Sequence, residues 1–235
     1  MEDKSQKQTT HRRGFLGSIA ASAAALGIAT LGTPAQLAAE NFSPFGNTND
    51  ADEWFNQIKG KHRIVYDVVE PTNPILMPFA WSRVFLATNG ATGTPEKDVN
   101  VVVVLRHNAI PFAMNHDLWA KYKFGEMFKI NDPATNAASV RNPFWQPKPG
   151  EYKMPGFGPL PIGINELQAS GVMFCVCNAA LTVYSAVVAD GMKANSADIL
   201  KEWTAGVLPG IQVVPSGVWA VGRAQEHSCA YCYAG

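Results

Sequence analysis

Seven consecutive residues, Val99-Asn100-Val101-Val102-Val103-Val104-Leu105, contain five valines and neither glycine nor proline. β-Branched side chains lose rotamer freedom in a helix and fit a pleated strand. Because successive strand residues point to opposite faces, an unbroken apolar run needs cover on both faces. That is the mark of a strand inside a parallel sheet, and it commits the chain to a layered α/β architecture.

The rest of the chain agrees. Strands are expected at Arg63 to Val69, ended by Pro71, at Val172 to Cys177 after Gly171, at Ile211 to Val214 and at Ala230 to Ala234. Helical segments fall between them. Pro78 to Thr88 has a proline suited to its first turn. Asn115 to Phe128 follows, then Asn178 to about Asp190, with Asn178 suited to the cap. Ser196 to Thr204 is a short helix, and Pro215-Ser216-Gly217 leads into another from Val218 to about Glu226. This alternation predicts a three-layer α/β/α fold with a mostly parallel sheet of about five strands. A lead-in over 40–61, polar from Asn41 to Asp52, precedes a domain at 62–235. The stretch 131–161 breaks the pattern, being dense in Pro, Gly and aromatics and too long for a plain connection. It reads as an insertion over the surface, with Phe144, Trp145, Tyr152 and Phe157 needing apolar cover. Folding onto its own domain is the simpler expectation, and an arm contacting another subunit the other.

The N-terminus reads MEDKSQKQTTHRRGFLGSIAASAAALGIATLGTPAQLAAE. Polar residues lead to Arg12-Arg13, a short Ala/Gly-rich apolar stretch and small residues, the layout of a secretory signal over 1–39. The paired arginines and weak hydrophobicity resemble a twin-arginine export signal, which implies a periplasmic or exported protein. A membrane anchor needs about 20 strongly apolar residues, and this stretch is interrupted by Gly, Ser and Thr. No later run is long enough, so no stable span is expected after signal removal. No cysteine lies near Ala35 to Ala39 to carry a lipid. Twin-arginine substrates fold before export, so the cysteines would meet a reducing and then an oxidising compartment.

The chain has 19 basic and 19 acidic residues; the first 39 residues hold four and two of these, leaving 15 against 17. That balance, without a basic block, argues against a nucleic-acid partner. The remaining length, about 195 residues, suits one domain. Motifs for a serine hydrolase elbow, a P-loop, an H-E-x-x-H zinc site and a dinucleotide fingerprint are absent.

Four cysteines carry the candidate chemistry. Cys177 ends a strand immediately before a helix, where unpaired N–H groups and the helix dipole favour a thiolate. The carboxyl end of a parallel strand is also where such folds place ligand crevices. Cys175 lies on the same strand face, about 6.6 Å away with a parallel Cβ vector, which opposes a bridge and reads as core filler. Cys229-Ala230-Tyr231-Cys232 is a C-x-x-C. As a strand it sends its thiols to opposite faces about 10 Å apart, and Tyr233 stands where haem attachment requires histidine. No cofactor is favoured. The alternative gathers Cys175, Cys177, Cys229 and Cys232 around Zn²⁺ or an iron–sulfur cluster, which needs convergence from two strands.

His107 follows the valine strand and is expected at the same edge as Cys177, where an imidazolium would stabilise a thiolate. A hydrogen-bonded strand-end histidine is the plainer reading. Arg106 offers a neighbouring cation and, with Asn178, makes the expected substrate-binding pair. Asn108 and His116 flank an apolar turn. Asp67 and Glu70 are placed to line the crevice, although acidic residues there are usually solvated. The expected layout sets Cys177, His107 and Cys232 on one edge, with Cys229 and His227 on the other, His227 meeting the carbonyls of a helix end.

GVMFCVCNAALTVYS (171–185) and VVPSGVWAVGRAQEHSCAYCYAG (213–235) resemble the central and terminal motifs of the DsrE/DsrF-like family. The resemblance spans 62–235 without the insertion. It implies a small three-layer α/β protein that forms homotrimers or hexamers. It also implies a sulfur carrier or sulfurtransferase, passing persulfide between a donor and an acceptor protein on the cysteine at the strand-to-helix turn, here Cys177. In that case His107 or Arg106 would supply positive charge. The rival expectations are a non-catalytic binding or assembly module and a thiolate metal protein.

Overall fold

The computed structural model describes residues 48–71 and 79–234. The proposed export signal and the expected helix start at Pro78 lie outside the described residues. In chain order the elements are α1 (Thr48–Trp54), β1 (His62–Val68), α2 (Phe79–Ala91), β2 (Val99–Leu105), α3 (His116–Tyr122) and α4 (Phe124–Met127). There follow β3 (Lys153–Met154), β4 (Gly158–Pro159), α5 (Ile164–Ala169), β5 (Met173–Cys177), α6 (Asn178–Met192), α7 (Ser196–Ala205), β6 (Ile211–Val214), α8 (Gly217–Glu226) and β7 (Ala230–Tyr233).

Five strands form one sheet in the order β6-β5-β2-β1-β7, every neighbouring pair parallel. The valine run is its centre. Val101, Val103 and Leu105 face one apolar cluster and Val102 and Val104 the other, all fully buried. The topology explains the two layers. From β1 through β2 and β5 to β6 the chain steps one way across the sheet, and right-handed crossovers then place α2 through α7 on one face. The return from β6 to β7 reverses direction, which puts α8 on the other face with α1. The architecture is therefore the three-layer α/β/α fold expected from the alternation.

Local differences have local causes. Part of the polar lead-in is helix: Ala51, Phe55 and Ile58, spaced i, i+4, i+7, bury against Val65 and Val102. The helix expected over Asn115 to Phe128 is two short ones, broken at Lys123, which adopts a left-handed φ of 52°. His107 to Ala113 forms a 3-10 turn around Pro111. The helix after β5 begins at Asn178, but its cap is Cys177, whose Sγ accepts the Ala180 N–H at 3.3 Å.

The segment 131–161 folds onto the domain. Phe144 is buried, stacked between Phe79 (4.2 Å) and Tyr152 (5.0 Å). Asn142 has its side chain and N–H fully engaged: Nδ2 donates to Phe112 O and Met114 O, Oδ1 accepts from Phe144 N, and its own N–H donates to His116 Nδ1. Arg141 bridges Asp132 and Glu151 within the segment. Trp145 is half-buried, while Phe157 is exposed.

Candidate functional site

The sheet register assembles the carboxyl edge. Val68 is level with Leu105, Leu105 with Val176, and Cys177 with Val214. One residue beyond the Leu105–Val176 step, Arg106 stands beside Cys177. Two helices start here. α6 is capped by Cys177, α8 by Ser216 Oγ on Trp219 N at 3.3 Å, and Ala179 N–H donates to Pro215 O between them. The positive ends of two helix dipoles therefore meet at this edge.

Arg106 leans the other way along the edge, onto Asp67. Its Nε meets Oδ1 at 2.5 Å and its Nη2 meets Oδ2 at 2.8 Å, while Tyr231 OH donates to Oδ2 at 2.9 Å. The hydrogen bond to Asp67 holds Arg106 protonated above its usual range, against partial burial, with smaller contributions from Tyr231 and Cys177. Gly217 allows this placement, because a Cβ there would lie 2.6 Å from Arg106 Cβ. Asp67 is 2% exposed, so the expectation that it is solvated is corrected: its charge is buried because a planar cation meets it in bidentate fashion.

Cys177 is 7% exposed. His107 is exposed with φ 48° and shares no hydrogen bond or ion pair with Cys177 among the described residues. The cation level with the thiol is Arg106. Asn178 is half-buried in the first turn of α6, where its carbonyl accepts from Thr182 Oγ1.

The four cysteines are dispersed. Cys175 is fully buried against the α1/α8 layer, and burial pushes its thiol far above the ordinary range. Cys229 lies in the same layer, its thiol pushed up to about 11 by burial against a weaker pull from Arg63. Cys232 packs against the opposite layer, so the C-x-x-C thiols do face apart. β5 and β7 are separated by β2 and β1, roughly 14 Å at ~4.8 Å per strand step. That separation holds the thiols of β5 apart from those of β7.

His227 falls at the opposite edge with Cys229. It ends α8, and its carbonyl accepts from Arg63 Nη1 at 2.7 Å. Sequence reasoning overlooked Tyr231 and Tyr184. Tyr184 lies in α6, almost two turns from the helix start. Its hydroxyl donates to Asn108 Oδ1, and Asn108 Nδ2 donates to both oxygens of Glu70 at 2.9 and 2.8 Å.

No family model matches this chain, and no curated protein matches it. A solved structure, described as a protein of unknown function from Methanobacterium thermoautotrophicum, is similar over 73% of this chain and 98% of that one. Its identity is 17% and its TM-score 0.32, too low to carry any argument about this site.

Proposed function

We propose that this chain is an exported DsrE-like carrier of sulfane sulfur, held as a persulfide on Cys177. The observation that carries the reading is the Cys177 Sγ accepting the Ala180 N–H at 3.3 Å, at the start of a 15-residue helix. A sulfur in that position has its negative charge met by backbone N–H groups and the helix dipole. Loading is an exchange without net oxidation. The Cys177 thiolate attacks the terminal sulfur of a donor persulfide, a new S–S bond forms, the donor S–S bond breaks, and the donor leaves as a thiolate. Delivery is the reverse step toward an acceptor thiol. Arg106, level with Cys177, supports the terminal anion, although Asp67 shares its charge. The family likeness adds a homo-oligomer.

A second reading rests on the burial of the same residue: at 7% exposure, Cys177 serves as a packing and capping group in a non-catalytic assembly module. Denaturing mass spectrometry separates the two. Wild-type protein, incubated with a low-molecular-weight persulfide, gains mass in sulfur-atom steps in the carrier reading. Cys177→Ser, which keeps an oxygen cap on α6, gains none there. Equal gain by the variant overturns the assignment to Cys177, and an unmodified wild type supports the packing reading. Cys177→Ala, which loses the cap, unfolds earlier by about 0.5–2 kcal/mol in either case.

A further inference from the structure

A cavity of about 560 Å³ lies at the carboxyl edge, on the α2–α7 face, bounded by residues following β1 and β2, by α6 and by the 131–161 segment. Its volume falls within the roughly 300–1,000 Å³ typical of small-molecule sites. Neither Cys177 nor Arg106 lines it, so it stands apart from the proposed sulfur site. Part of its wall is apolar and aromatic, with Phe128, Ile130, Phe144 and Tyr152 all buried there.

One set of polar groups converges on a carboxylate. Tyr184, Asn108 and Glu70, from three different elements, form a directed chain that ends on Glu70. Burial, with the Glu70 charge adding, raises the Tyr184 pKa, so the phenol stays a donor and fixes the Asn108 amide with its NH₂ toward Glu70. The second carboxylate of the lining, Asp132, is already engaged by Arg141 Nε at 2.9 Å and Ala134 N at 2.9 Å. Glu70 meets only a neutral amide and pairs with no cation among the described residues. The lining holds two carboxylates against one lysine, the exposed Lys129.

We propose that this cavity binds a small organic amine, its ammonium on Glu70 and its apolar or aromatic body against Phe128, Phe144 and Tyr152. A charge-assisted hydrogen bond anchors the ammonium, and the apolar edges of these side chains take the body, the faces of Phe144 being covered by Phe79 and Tyr152.

Isothermal titration calorimetry on the full folded chain tests it with three probes that share one ring: tryptamine, 3-methylindole and indole-3-acetate. Tryptamine binds at least about tenfold tighter than either of the others, the scale set by one hydrogen bond to a charged group. Glu70→Gln weakens tryptamine about tenfold and abolishes the preference. Lys129→Glu, at an exposed position that should not disturb folding, shifts the preference further toward the amine. Equal affinity for the three probes, no tryptamine binding at millimolar concentration, unchanged affinity in a folded Glu70→Gln, or a shift toward the acid in Lys129→Glu each overturns the proposal.

Discussion

Asp67 receives three hydrogen bonds from two partners, Arg106 and Tyr231, and so ties together the ends of β1, β2 and β7. Asp67→Asn keeps the shape but removes the charge, and turns an NH₂ toward a guanidinium that has nothing to accept it. Removing one member of a buried pair costs about 3–5 kcal/mol. Because the Arg106 side chain is 16% exposed and keeps some water, a loss near 3 kcal/mol is expected. It would be read as a lower urea midpoint with an unchanged slope. A loss below about 0.5 kcal/mol, the size of an ordinary surface change, would show that the pair is solvated instead. The burial of Asp67 could not be read from the sequence. An acidic residue near a strand end is solvated by default, and its partner lies on another strand, brought alongside only by the register. Cys177 was legible for the opposite reason: strand end and helix start are adjacent in the chain, so its place at a helix N-terminus is local.

The 131–161 segment shows what composition can and cannot tell about an element. Its prolines and aromatics announce something irregular that needs apolar cover; Phe144 finds it against Phe79, and Tyr152 against Phe144. Where it seats depends on contacts no local pattern predicts. One is the Asn142 side chain on the carbonyls after β2. Another is Gly125 in α4, where an added Cβ would fall 2.2 Å from Ser139 O and 2.3 Å from Ser139 N. Backbone cannot rotate away as a side chain can. Gly125→Ala therefore lifts the segment's start, with an overpacking cost of about 1–3 kcal/mol. The expected signature is faster proteolysis within 131–161 together with a lower melting temperature; cleavage at the wild-type rate would show that the backbone gives way freely. The break at Lys123 was hidden because apolar periodicity runs through it and neither Gly nor Pro marks it.

Across the whole molecule, the fold was legible because five valines buried on both faces admit few solutions, and the crossover rule does the rest. The candidate edge followed from the fold, since carboxyl ends of parallel strands are where loops and helix starts gather. Which side chains engage there was only partly legible: Arg106 was expected as a cation at this edge, but its pairing with Asp67 and Tyr231 was not. The joint between domain and inserted segment carries a pH dependence of its own. His116 Nδ1 accepts the Asn142 N–H at 3.1 Å, which requires that nitrogen to be unprotonated. Burial first, and then the charge of Arg141, lower the His116 pKa below its ordinary 6.5, against a weaker opposing pull from Asp117. The unfolded chain therefore takes up a proton near pH 6.5 while the fold still resists it, and in that window the unfolded state binds more protons. The stability tied to His116 is complete above about pH 6.5 and is lost as pH falls through the lowered folded value. His116→Gln offers an uncharged acceptor to the same N–H. Urea unfolding at about pH 7.5 and pH 5.5 should show wild type losing more stability on acidification than the variant. An identical loss in both proteins would remove His116 from the acid response and leave it to the carboxylates.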